Sequence, residues 1–156
     1  MGTIPRDDNR VPAFDQNYGF RTKKSMTFAG ATTNDPGDFN GTGNPATLFT
    51  VTGAVRMKLL AICRVNLAST TGTVEVGTAA LTTGLIPLTT ATDIDAGEIW
   101  FDATPTTTIE PTSALVDNVV SANVIQTVRT ADITAGQVDY YALWYPLSED
   151  GNVVAA

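Results

Sequence analysis

The sequence contains no histidine, one cysteine and little lysine. Without imidazole there is no Ser-His-Asp or Cys-His constellation and no histidine-ligated zinc. The single Cys63 rules out an intrachain disulfide and a thiolate metal cluster. Within L-L-A-I-C-R-V it reads as a small buried hydrophobe rather than a reactive thiol. No apolar run approaches the ~20 residues of a membrane-spanning helix. The opening MGTIPRDDNRVPAF lacks the basic-then-apolar order of a secretory leader. Neither G-x-x-x-x-G-K-[S/T] nor G-x-G-x-x-G occurs, so neither phosphate-cradling loop is expected.

What remains is globular in composition: 43% hydrophobic and 16% charged. Threonine, valine and small residues dominate, which favours strands over helices. The net charge of −7 is uneven. Up to residue 44, five cations (Arg6, Arg10, Arg21, Lys23, Lys24) balance five acids, so the excess of acid lies after residue 44. An acidic body argues against a nucleic-acid partner, because phosphates need a basic footprint. No membrane partner, cofactor or metal is expected either.

Residues 1–44 show no sustained periodicity. Phe14, Tyr18, Phe20, Phe28 and Phe39 are scattered among Asn, Asp, Gly and Pro, and N-D-P-G-D-F-N-G-T-G-N-P is almost all turn formers. The expectation is an extended arm that docks on another surface, through the rings of Phe14, Tyr18, Phe20 and Phe28 and the charges of Arg21, Lys23 and Lys24. Residues 45–156 are expected to form the folded body.

The body reads as strands. T-L-F-T-V-T is followed by V-R-M-K-L-L-A-I-C-R-V-N-L. In the latter, Val55, Met57, Leu59, Ala61, Cys63, Val65 and Leu67 share one face, and Arg56, Lys58, Arg64 and Asn66 share the other. T-V-E-V-G-T-A points Val74 and Val76 inward and Glu75 outward. Pro87 makes L-I-P-L an edge strand or a loop. E-I-W-F, N-V-I-Q-T-V-R-T and Q-V-D-Y-Y-A-L-W-Y-P are further strands, and A-L-V-D-N-V-V-S-A is either a strand or a short helix. In the last strand Val138, Tyr140, Ala142 and Trp144 share one face. Tyr141, Leu143 and Tyr145 share the other and are candidates for an oligomer interface. Seven or eight short strands with turn signals between them predict an all-β, antiparallel β-sandwich of jelly-roll type.

One phrase occurs twice: A-T-D-I-D-A-G-E-I from Ala91 and A-D-I-T-A-G-Q-V from Ala131. It reads as a corner at the entry to a strand. Asp can bond the backbone two residues on, Gly supplies a positive φ, and Ile plugs the end of the core. Asp93, Asp95 and Glu98 would suit Ca²⁺, but the second copy has Thr134 and Gln137 where the first has Asp95 and Glu98. The acids elsewhere sit in turn contexts, not in a glycosidase-like pair. Trp100 and Trp144, with the tyrosines, suit core or interface packing better than a sugar platform.

Three segments, N-P-A-T-L-F-T-V-T-G-A-V, T-T-A-T-D-I-D-A-G-E-I-W-F-D-A-T-P and P-L-S-E-D-G-N-V-V-A-A, make residues 44–156 resemble small proteins from the structural modules of tailed bacteriophages. The resemblance implies a virion component and supplies no catalytic residue. A small acidic sandwich with an arm is similar, in that setting, to capsid decoration (cement) proteins. Such a protein would bind the outer surface of the lattice of major capsid protein, commonly as a homotrimer. The alternative is a tail, head-fibre or receptor-binding module that meets a carbohydrate. A stand-alone enzyme is the weakest reading.

Overall fold

The computed structural model describes residues 19–30, 34–108 and 114–156. They form ten strands: β1 (Phe20–Thr27), β2 (Ala46–Thr52), β3 (Val55–Ser69), β4 (Thr73–Thr78), β5 (Leu81–Thr90), β6 (Ile99–Trp100), β7 (Asn118–Val120), β8 (Val124–Arg129), β9 (Ile133–Pro146) and β10 (Asn152–Ala155). All described pairings are antiparallel. The front sheet runs β1-β9-β3-β6, with β7 also on β3, and the back sheet runs β10-β2-β8-β4-β5. This is the all-β, two-sheet sandwich expected from the alternation. β5, with Pro87, lies at the edge of the back sheet, where a missing N–H costs no ladder bond.

The core lies between the sheets. From the front sheet come Met57, Leu59, Ala61, Trp100, Val138, Tyr140 and Ala142; from the back sheet come Leu48, Val74, Val76, Ile86, Val124 and Val128. Burying a side chain of this size is worth about 1.5–3 kcal/mol. Polar contacts cross between the sheets at three places. In the middle, Tyr140 Oη donates to Gln126 Oε1 at 2.5 Å, both groups being buried. Towards the β5 edge, Trp100 Nε1 donates to Thr89 Oγ1 at 2.9 Å. At the opposite edge, Thr22 Oγ1 donates to the Val153 carbonyl at 2.9 Å and accepts from Trp144 Nε1 at 3.0 Å. Each pairing satisfies a ring N–H or O–H that burial would otherwise leave stranded.

The structure departs from the sequence reading in several places. First, the expected boundary at residue 44 does not hold, because β1 pairs with β9 along its whole length, from Phe20 opposite Trp144 to Thr27 opposite Gln137. Beyond it, Phe28 N–H bonds the Gly136 carbonyl, Gly30 N–H bonds Ile133, and the Asn44 side chain bonds both backbone groups of Val128. The strand was hard to see because only Phe20 and Met26 on its inward side pack against the core, and between them that side meets the sandwich edge. There Thr22 and Lys24 reach the carbonyls of Val153 and Ala156, so polar residues suit both faces.

Second, Val65 is 51% exposed, because the β3–β9 register shifts on either side of it. Third, Glu75 is buried and ion-paired to Arg129 at 2.9 Å. The segment A-L-V-D-N-V-V-S-A, readable as a strand or a short helix, contributes a strand, β7.

The repeated phrase proves to be a joint. Its two copies flank the same stretch of β3. On one side Leu67 N–H bonds the Ile94 carbonyl, Gly97 N–H bonds the Cys63 carbonyl, and Cys63 N–H bonds the Glu98 carbonyl. On the other side Ser69 pairs with Ile133, Ala68 with Ala135 and Cys63 with Val138. Ile94 and Ile133 are both fully buried, plugging the core from either side of β3. The first copy leads into β6 as expected, whereas the second lies within β9.

The two copies make different demands on their glycine. Gly97 has φ +90° and open space where a Cβ would lie. Gly136 has φ +124°, and a Cβ there would approach Leu67 Cδ2 at 2.4 Å and the Asn66 carbonyl at 2.8 Å. Alanine at either site should cost about 1–3 kcal/mol of backbone strain. At Gly136 overpacking should add roughly 1–3 kcal/mol more. Denaturant unfolding of Gly97→Ala and Gly136→Ala checks this: Gly136→Ala is expected to be the less stable, and equal losses would contradict the close approach.

Candidate functional site

The most distinctive surface is the outer face of the front sheet. Along β9, alternation sends Val138, Tyr140, Ala142 and Trp144 inward, as expected, and Asp139, Tyr141, Leu143 and Tyr145 outward. Directly opposite residues on neighbouring strands share a face. Tyr141 therefore lies between Lys23 of β1 and Leu60 of β3, Leu143 between Arg21 and Lys58, and Tyr145 beside Arg56. Asp139 lies between Ser25 and Ile62. The result is a half-buried spine, Tyr-Leu-Tyr, with cations on both flanks.

The rings and cations touch. The Arg56 guanidinium sits 4.9 Å from the Tyr145 ring centre, and Lys23 Nζ sits 5.7 Å from that of Tyr141. Both are within the range of cation–π attraction. Five of the nine Lys and Arg residues, namely Arg21, Lys23, Arg56, Lys58 and Arg64, belong to this face of an otherwise acidic chain.

Two carboxylates partly neutralise it. Asp139 is only 4% exposed. It accepts from Ser25 Oγ at 2.6 Å and from Arg64 Nε at 2.7 Å, and it pairs with Lys23 at 2.9 Å. Arg64 also donates to Tyr141 Oη at 3.1 Å. Burial alone would raise the Asp139 pKa. The bonds from Ser25, Lys23 and Arg64 outweigh burial and bring it down to about 2. Asp117 is half exposed, and its contacts with Arg56 and Lys58 are long, at 3.9 and 3.8 Å. Such exposed pairs contribute little. Arg21 makes no ion pair among the described residues.

The residues expected to anchor an arm are placed as follows. Phe14 and Tyr18 lie outside the described residues. Phe20 stacks on Trp144 with ring centres 4.7 Å apart, and Phe28 is buried in the core, so both rings are used within the chain. Lys24 bonds the Ala156 carbonyl, at the sandwich edge. Arg21 and Lys23 do reach the outer face. There they join Tyr141, Leu143 and Tyr145, which the alternation had already grouped. Sequence reasoning missed the central Asp139. The signal was a lone acid in the middle of an aromatic strand, V-D-Y-Y.

Elsewhere the geometry is that of joints. The first phrase uses its own acids: Asp95 N–H donates to Glu98 Oε2 at 2.7 Å, and Asn66 Nδ2 donates to Asp95 Oδ1 at 2.6 Å. An open cleft of about 650 Å³ beside the second phrase is lined by Phe39, Asn40, Ser69, Thr130 and Asp132, among others. Its one carboxylate, Asp132, already accepts the Phe39 N–H at 2.8 Å. Cys63 is buried. Desolvation outweighs the lowering by a backbone hydrogen bond at Val65, and with small contributions from Asp95 and Glu98 it pushes the thiol up to about 11. At neutral pH the sulfur is a thiol, not a nucleophile. Trp100 and Trp144 are 0% and 6% exposed.

No protein-family model, no curated protein and no solved structure matches this chain.

Two outcomes follow from the ionisations. Because the folded pKa of Asp139 lies below its ordinary 3.8, the pair stabilises the fold above that ordinary value. The contribution is lost as the pH falls towards about 2. Asp139→Asn should therefore be less stable at neutral pH and lose less further stability across this window, as read by acid unfolding. An unchanged acid-unfolding profile would contradict the pairing. Cys63 should resist a disulfide-exchange reagent such as Ellman's in the native protein and react only on unfolding; rapid native labelling would contradict its burial.

Proposed function

We propose that this protein is a non-enzymatic structural component of a virion, and specifically a capsid decoration protein bound to the outer surface of the lattice of major capsid protein. The observation that supports the reading best is the outer face of the front sheet, where aromatic and basic side chains are held on a stiff two-sheet body. A face built from strands has fixed side-chain spacing, so it can meet a repeating surface at each site without reordering. Repetition around a lattice axis, with the chain as a homotrimer, would add avidity to weak single contacts. The neutral, buried Cys63 and the absence of histidine fit a role without chemistry.

The carbohydrate-binding alternative is less well supported. A sugar platform needs open ring faces. Both tryptophans are buried, and Tyr141 and Tyr145 lie beneath cations. Quantitative mass spectrometry of purified virions tests the proposal. A decoration protein should be present in copy numbers comparable to the capsomers. Abundance at the level of a tail fibre, or absence from the particle, would overturn it.

A further inference from the structure

We infer that the outer face of the front sheet is a docking site for an acidic segment of another protein, laid along β9 with carboxylates over the two cationic flanks and an apolar side chain over Leu143. This deepens the preceding reading and rests on it for the identity of the assembly, but not for the chemistry of the face.

The five cations of the face divide by their commitments. Lys23 and Arg64 are held at 2.9 and 2.7 Å by the buried Asp139, so they position the tyrosines more than they seek a ligand. Arg21, Arg56 and Lys58 are different. Arg21 is exposed and forms no ion pair among the described residues. Arg56 and Lys58 share one half-exposed carboxylate, Asp117, at long range. Arg21 and Lys58 stand at one register on either side of Leu143, two strand spacings (about 10 Å) apart. Arg56 is laid against the Tyr145 ring, which presents its planar fork for a carboxylate.

Charge complementarity selects the occupant. Five cations face two carboxylates here, within a chain whose net charge is −7. A second copy offering the same face would meet like charge, so this face is a poor isologous contact. A single-stranded nucleic acid would need open rings for its bases, and these rings are covered by cations. Its continuous phosphates would also cross Asp139 and Asp117 and meet the acidic remainder of the chain. Carboxylates spaced along a partly apolar protein segment avoid both conflicts.

The test uses the full chain and a synthetic peptide of alternating Glu and Leu, with a Lys-Leu peptide and a dT oligonucleotide as comparisons. Binding is measured at low salt by fluorescence anisotropy and mapped by amide chemical shifts. The Glu-Leu peptide should perturb Arg21, Arg56, Lys58, Tyr141 and Leu143. Its affinity should fall with salt, and fall about tenfold or more in the Arg21→Glu, Arg56→Glu, Lys58→Glu triple variant. Unchanged affinity in a triple variant that melts like the wild type, perturbation confined to another surface, or tighter binding of the oligonucleotide would overturn the inference. Should the triple variant not fold, the shift map on the wild type decides. If the peptide binds as expected but virion abundance fails, the capsid reading falls and the docking face stands. If abundance holds and the peptide result fails, the lattice contact lies elsewhere on the protein.

Discussion

The pairing of β3 with β9 governs the rest of the molecule. These are the two longest strands, and they run antiparallel from Val55 opposite Pro146 to Ser69 opposite Ile133. Between Val55 and Cys63 the register is regular, so every outward residue of β9 faces a known residue of β3. That regular half builds the functional face, with Arg56, Lys58 and Leu60 opposite Tyr145, Leu143 and Tyr141. Beyond Cys63 the register slips, and this irregular half takes the two copies of the repeated phrase, one on each side of β3. A slip of one residue in the regular half would send Tyr140 and Trp144 to solvent and Tyr141 and Tyr145 into the core.

The sheets are held apart and together by the same residues. Tyr140 and Trp100 supply bulk between the layers, and their polar atoms find partners on the back sheet. Tyr140 pays for its depth in ionisation, since burial lifts its pKa well above the ordinary value and the hydroxyl stays a donor to Gln126. On the opposite face of the same strand Asp139 is nearly as buried yet keeps its charge, because Ser25, Lys23 and Arg64 converge on it. One strand thus carries a neutral acid on its inner side and an ionised one on its outer side, one residue apart.

The strands that face the core were legible in the sequence. Alternation in β3 and β9 is long enough that each face could be assigned residue by residue, except at Val65 where the register slips, and Pro87 correctly marked an edge. The grouping of Tyr141, Leu143 and Tyr145 on one outer face was also legible. The flanking row from β1 was not. β1 has polar residues on both sides, and its inward Thr22 and Lys24 meet backbone carbonyls within and just after β10, 131 and 132 residues away. No local pattern records so distant a contact, so R-T-K-K-S-M reads as an arm. Glu75 was misplaced for a related reason. Its counter-charge, Arg129, comes from β8, and a strand buried on both sides can hold an acid only where such a partner exists.

The central claim is that β1 belongs to the front sheet and so completes the cationic trough around β9. Native-state hydrogen exchange of the isolated full chain tests it most directly. The account predicts that the ladder amides of β1 are protected in the same cooperative unit as those of β3 and β9. Exchange of residues 20–27 at the rate of a free chain, while β3 and β9 remain protected, would contradict it and would remove one wall of the proposed docking site.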